Sequence, residues 1–142
     1  MTLFYIYGST CISSNLIELT PYYMGGEQIM NNDETTGLKY PLLMVHGMGF
    51  RDNKFLNYWG RIPEKLEKIG CKIYYGNQDS NADIETNGTI LQKRIDEILN
   101  ETGADKLNIL AHSKGGLDCR YAISTLGAAD KVASLTTIST PH

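Results

Sequence analysis

The residues best suited to chemistry sit in one stretch, Asn108-Ile109-Leu110-Ala111-His112-Ser113-Lys114-Gly115-Gly116. An apolar run stops, a serine between small residues follows, and a helical pattern starts at once. A strand–turn–helix that presents a nucleophile reads this way. A serine hydroxyl is a weak nucleophile at neutral pH. It needs a nearby base, and the oxyanion formed on attack needs backbone N–H donors. Ala111 and Gly115, two residues to either side of Ser113, are small enough for strand and helix to meet at a sharp angle. The N–H of Lys114 opens the helix and gains from its N-terminal field. The lysine side chain is read as solvated and secondary.

The elements that must position this turn follow from the pattern along the chain. Residues 1–39 read as an irregular N-terminal extension with a hairpin over Leu3–Tyr7 and Leu16–Leu19. From Tyr40 the character changes. Pro41–Val45 is a continuous apolar run, as expected of a parallel strand buried on both faces. It runs into the loop His46-Gly47-Met48-Gly49-Phe50. Phe55, Tyr58, Trp59, Ile62, Leu66 and Ile69 recur at helical spacing, with a break near Gly60 and Pro63 in the first turn of a second helix. Cys71–Tyr75 reads as the second strand. Asp83 is placed as the cap of a helix over Ile84–Thr102, closed by Gly103. Leu107–Leu110 is the third strand, the helix after Ser113 is expected to end at Gly127, and Val132–Ile138 is the fourth strand. Strands alternating with helices predict an α/β fold, a parallel sheet with helices on both faces.

Bulk properties narrow the function classes. The chain has 142 residues, 42% hydrophobic and 20% charged, with a net charge of −3. The Lys and Arg residues form no block longer than two, which argues against a nucleic-acid partner. The longest apolar runs fall far short of the roughly 18 residues that cross a bilayer. Three cysteines, Cys11, Cys71 and Cys119, lack metal-ligand spacing. Cys71 and Cys119 are expected as buried free thiols. Residues 1–12 contain no Lys or Arg and are interrupted at Gly8-Ser9-Thr10, a poor match to a secretory signal. The compartment stays open.

Ala111-His112-Ser113-Lys114-Gly115 resembles the Gly-x-Ser-x-Gly nucleophile elbow of α/β-hydrolases, with alanine in place of the first glycine. Val45-His46-Gly47-Met48-Gly49-Phe50, the helix before the elbow, Gly115-Gly116 with Arg120-Tyr121, and Ser139-Thr140-Pro141-His142 occur in the order found in bacterial triacylglycerol lipases. The resemblance covers about residues 40–142 and leaves residues 1–39 aside. It implies an α/β-hydrolase fold acting on acyl esters, triacylglycerol or related lipids. Ser113 would be the catalytic nucleophile. Met48 and Lys114 would give the two oxyanion N–H groups. No organic cofactor is implied, and the calcium site of some members lies beyond His142.

The remaining polar residues carry ordinary expectations. His112 is expected to point away from Ser113, and His46 to shape the oxyanion loop. In the resembling lipases the histidine matching His142 is not the base. Asp79, Asp83 and Asp118 are assigned to loop solvation, helix capping and a surface helix position. Tyr58 and Trp59 are assigned to the core. In this fold the triad runs Ser, then Asp or Glu, then His, and neither Asp118, Asp130 nor His142 matches the later positions. The expectation is therefore an N-terminal part of a lipase-like enzyme, with the triad acid and base, the lid and the C-terminal half of the domain beyond His142. The rival readings are an acyltransferase, thioesterase or amidase on the same scaffold, and a non-catalytic remnant of the fold.

Overall fold

The computed structural model describes residues 37–49 and 58–141. The hairpin expected near the N-terminus, Cys11, Phe50, Phe55 and His142 lie outside the described residues. Four strands are observed: β1 (Leu42–Val45), β2 (Ile73–Tyr75), β3 (Leu107–His112) and β4 (Val132–Ile138). They alternate with three helices, α1 (Ile62–Lys68), α2 (Ile84–Thr102) and α3 (Lys114–Ser124), and a short 3-10 turn at Ala128–Lys131 precedes β4.

All strand pairs are parallel, in the order β2-β1-β3-β4. Among the described residues, the path enters the sheet in the middle at β1, crosses to β2 at one side, then returns past β1 to β3 and β4. Strand order thus reverses between β1 and β3. Loops leaving the carboxyl ends of two such neighbours diverge and leave a crevice between them, where open α/β sheets bind ligands. The two loops concerned are His46–Gly49 and the turn at Ser113.

Side-chain alternation along the strands distributes the core to both faces of the sheet. Leu43 and Val45 of β1, with Leu107, Ile109 and Ala111 of β3, pack against Leu91, Ile95 and Ile98 of α2 and Cys119, Ala122 and Ile123 of α3. Leu42 and Met44 face the other way and pack with Trp59, Leu66, Ile73, Tyr75 and Leu110, on the side of α1. Complete burial of each large aliphatic side chain contributes about 1.5–3 kcal/mol. Helices α2 and α3 thus cover one face and α1 the other, as the alternation of elements predicts.

The helix ends have local causes. The Asp83 carboxylate accepts from the Thr86 N–H at 2.6 Å, satisfying one orphan donor of the first turn of α2. The Gly103 N–H closes the far end on the Leu99 carbonyl at 2.9 Å. Pro63 occupies the first turn of α1, where a missing N–H costs nothing. Helix α3 stops at Ser124 rather than running to Gly127, because the Thr125 and Leu126 N–H groups both turn back to the Tyr121 carbonyl.

Candidate active site

Ser113 lies between the last residue of β3 and the first of α3, with φ 52° and ψ −131°. A side chain at positive φ is strained by about 1–3 kcal/mol unless its surroundings hold it there. Here they do. The Ser113 N–H donates to the Ile138 carbonyl at 2.9 Å, and its own carbonyl accepts from the Thr140 hydroxyl at 2.9 Å and the Gly116 N–H at 3.1 Å. Both backbone polar groups of the strained residue are therefore tied, two of the three bonds running to the carboxyl end of β4 and the residues just after it.

The two glycines after Lys114 are required by contact distance. A Cβ at Gly115 would stand 2.3 Å from the His46 carbonyl oxygen, and one at Gly116 would stand 2.2 Å from Thr140 Oγ1. Any larger residue would push α3 away from β1 and β4. The small residues seen in the sequence thus let the helix start directly against the sheet edge.

The loop after β1 closes on the same serine. A Cβ at Gly47 would lie 2.8 Å from Ser113 Cβ and 3.3 Å from Ser113 Oγ. His46 is buried, and its ring Nδ1–H donates to the Gly47 carbonyl at 2.8 Å, since a carbonyl can only accept. Its backbone carbonyl accepts from Gln78 Nε2 at 2.8 Å. His46 therefore does shape this loop. Met48 is 63% exposed.

Tyr58 joins the loop to β3. Its hydroxyl accepts from the Gly47 N–H at 2.9 Å and is hydrogen-bonded to His112 Nδ1. His112 and Tyr58 meet edge to face, ring centroids 5.6 Å apart, on the α1 side of the sheet. His112 Nδ1 is thus engaged by Tyr58. Trp59 is buried as expected, but Tyr58 is half-buried with its polar end in the site.

Two expectations are corrected. Asp118 is 1% exposed, not on a surface face, and the Lys114 side chain, 17% exposed, is paired instead of freely solvated. Lys114 Nζ donates to both Asp118 oxygens, and Asn87 Nδ2 donates to Oδ2 at 3.0 Å. Asn87 also clasps the Asp79 peptide, Oδ1 taking the N–H at 3.1 Å and Nδ2 giving to the carbonyl at 2.7 Å. The physical reason is α2, which packs over this side of α3 and removes Asp118 from water while leaving Lys114 partly exposed. Burial raises the Asp118 carboxyl above its ordinary value, against the pull of Lys114 and Asn87. Asp83 caps α2 as expected, and its carboxyl is lowered, mainly by the Thr86 N–H.

Cys71 and Cys119 are buried free thiols. Burial strongly raises the Cys119 thiol, with Asp118 adding to it, so it stays protonated. Among the described residues no three His, Cys, Asp or Glu side chains are grouped to hold a metal ion, and no helix is long and apolar enough to cross a membrane.

Sequence reasoning missed the polar role of Tyr58, the bond from Thr140 to the Ser113 carbonyl, and the roles of Gln78 and Asn87. The Lys114–Asp118 pair carried a signal, because residues four apart on a helix face each other. Asn87 and Gln78 carried none for this site, since Asp118 and the His46 carbonyl, which they bind, are 31 and 32 residues away.

Comparison with known proteins agrees with this geometry. Residues 40–142 match the family described as alpha/beta hydrolase fold. A triacylglycerol lipase of Pseudarthrobacter phenanthrenivorans is 38% identical over 116 residues, covering 78% of this chain and 35% of that protein. One from Burkholderia plantarii is also 38% identical over 116 residues, covering 78% and 32%. Triacylglycerol lipase 2 of Saccharomyces cerevisiae is 32% identical over 139 residues, covering 91% and 38%. Among solved structures, the mature Bacillus licheniformis lipase BlEst2 superposes with a TM-score of 0.66 at 25% identity, covering 82% of this chain and 46% of that one. The chain spans about a third of the length of the curated relatives it matches. Its parallel sheet, its strained serine turn and its match across residues 40–142 place it in the α/β-hydrolase fold family.

Proposed function

We propose that this chain carries the nucleophile and oxyanion half of a carboxylic-ester hydrolase of lipase type. Ser113 Oγ gives its proton to a base and bonds to the carbonyl carbon of an acyl ester. The carbonyl electrons move onto oxygen, where the Met48 and Lys114 N–H groups receive the charge. Collapse expels the alcohol, which takes the proton back from the base, and water releases the acyl group by the same steps. The acid and base come from residues outside the described ones, in the counterpart of the remaining two thirds of the relatives. The substrates are acyl esters, triacylglycerol or related lipids among them.

The observation that carries this reading is the Ser113 backbone, φ 52° and ψ −131°, held at the carboxyl edge of the sheet beside the switch between β1 and β3. An ordinary helix cap has extended backbone, as Asp83 does at φ −66° and ψ 170°, and uses its side chain to cap. Ser113 makes no side-chain cap bond.

The test is labelling with a serine-directed fluorophosphonate probe, on the 142 residues and on a form extended through its downstream reading frame. The expected result is labelling of the extended form that Ser113→Ala abolishes. Hydrolysis of p-nitrophenyl esters of graded chain length then gives the acyl preference. If the extended form turns over no ester and takes up no probe, the hydrolase reading is wrong and the remnant reading replaces it.

A further inference from the structure

We infer that Tyr58 is a positioning residue for the oxyanion loop, acting through the peptide between His46 and Gly47. The inference rests on the hydrolase reading above for its kinetic consequence, and on geometry alone for its structural one.

Two consecutive peptide units of the loop are held by side chains from three different parts of the chain. The first, His46–Gly47, is gripped at both ends. Its carbonyl accepts from Gln78 Nε2 at 2.8 Å, and its N–H donates to the Tyr58 hydroxyl at 2.9 Å. The second, Gly47–Met48, is gripped at its carbonyl by the His46 ring at 2.8 Å. The described peptides are trans, so carbonyl and N–H of one unit point in opposite directions. With the Gly47 carbonyl turned to the His46 ring, the Met48 N–H is turned away from it. The direction of this proposed oxyanion donor is thus decided before substrate arrives.

Tyr58 is the part of this arrangement with a defined polarity. A backbone N–H only donates, so the Tyr58 oxygen must accept from Gly47. The same hydroxyl is hydrogen-bonded to His112 Nδ1. His112 therefore orients the phenol, and the phenol orients the loop. The ring itself is wedged edge to face among Trp59, His46 and His112, at centroid distances of 5.1, 5.9 and 5.6 Å. Such contacts fix the ring, so removal of the hydroxyl alone leaves the packing in place.

An oxyanion donor acts only in the transition state, so a misdirected one lowers kcat and leaves KM alone. Outright loss of a donor typically costs 10²- to 10³-fold. A tilted donor costs less, and Tyr58→Phe is expected to lower kcat about 10- to 100-fold with KM nearly unchanged. Gln78→Leu, which frees the other end of the same peptide, is expected to act in the same direction. Ile98→Val, a packing change in the α2 core, is expected to lower Tm and leave kcat as it is.

The experiment measures kcat and KM for p-nitrophenyl ester hydrolysis by these three variants and Ser113→Ala in the extended active form. It also records the amide resonances of Gly47 and Met48 in Tyr58→Phe. Support is a kcat loss confined to Tyr58→Phe and Gln78→Leu, with both amide resonances displaced. Unchanged kcat in Tyr58→Phe, or a loss in kcat matched by Ile98→Val, overturns the inference. If Ser113→Ala keeps its turnover, the hydrolase reading fails separately, and Tyr58 is judged on the resonances alone; unmoved resonances overturn it.

Discussion

Lys114 Nζ sits 2.8 Å from Oδ1 and 3.0 Å from Oδ2 of Asp118, one turn along α3, with the lysine side chain 17% and the carboxylate 2% exposed. Removing one partner of a buried pair leaves the other uncompensated, at a typical cost of about 3–5 kcal/mol. Asp118→Ala is expected at the low end, about 3 kcal/mol, because Lys114 retains a path to water. Urea denaturation measures it, and a loss below about 1 kcal/mol would return the pair to the class of surface ion pairs.

The same pair predicts a pH dependence. Burial raises the Asp118 carboxyl in the folded state. The folded chain therefore holds this proton to higher pH than the unfolded chain. Stability from this group is fully present below the ordinary carboxylate value and is lost as pH rises through the raised one. Lys114→Met removes a lowering influence, so the folded-state value climbs further. Its stability deficit against the unaltered chain is expected to widen as pH rises from 4 to 7. A deficit that stays level across that range would show that Asp118 does not titrate in this way.

Asp83 predicts the opposite sign. Its carboxyl is lowered by the Thr86 N–H. A lowered carboxyl contributes stability above its ordinary value, lost as pH falls through the folded-state value. Asp83→Ala is expected to lower Tm at neutral pH, and the difference should shrink in strong acid. Thermal melts at pH 7 and pH 2.5 decide this.

Ser113 predicts a split between two small substitutions. Alanine keeps a Cβ at φ 52°, whereas glycine tolerates that conformation. Ser113→Gly is expected to be more stable than Ser113→Ala by about 1 kcal/mol, the relieved strain being partly offset by the freedom of an unfolded glycine. Neither variant should react with the fluorophosphonate probe. Equal stabilities would mean that the turn relaxes on losing the hydroxyl.

Gly115 tests the contact between α3 and β1. Alanine is ordinarily favoured over glycine in a helix by about 1 kcal/mol. Here its methyl would meet the His46 carbonyl at 2.3 Å and the Val45 carbonyl at 2.9 Å, both backbone atoms. Gly115→Ala is therefore expected to destabilise by about 3 kcal/mol, the clash outweighing propensity. A stabilised variant would mean that strand and helix can move apart freely.

The boundaries legible in the sequence are those with a local cause. Helix α2 runs over Ile84–Thr102 as read, because Asp83 and Gly103 mark its ends chemically. β4 coincides with its apolar run, Val132–Ile138. β3 extends past Leu110 to His112, since its last pairing, His112 with Ile138, is made across 26 residues of chain and leaves no local trace. The same reason hides the burial of Asp118. A Lys and an Asp four apart read equally well on a wet helix face, and only α2, arriving with Asn87, makes the face dry. Ser113 was legible because its small neighbours are next to it in sequence. Tyr58 was not, because an aromatic residue beside Trp59 reads first as packing.

The two hydrogen bonds from Ser113 to Ile138 and Thr140 have a consequence for the order in which the molecule is built. Of the three backbone hydrogen bonds described at the turn, one comes from the Gly116 N–H, and the other two arrive with the last strand and the residues after it. Without β4 the turn would lose two of these three backbone hydrogen bonds, leaving the strain at φ 52° less offset. The elbow is in this sense a tertiary structure occupying a single residue. It marks completion of this part of the sheet, so a chain released or cleaved before Ile138 would carry the motif in full and these two bonds not at all.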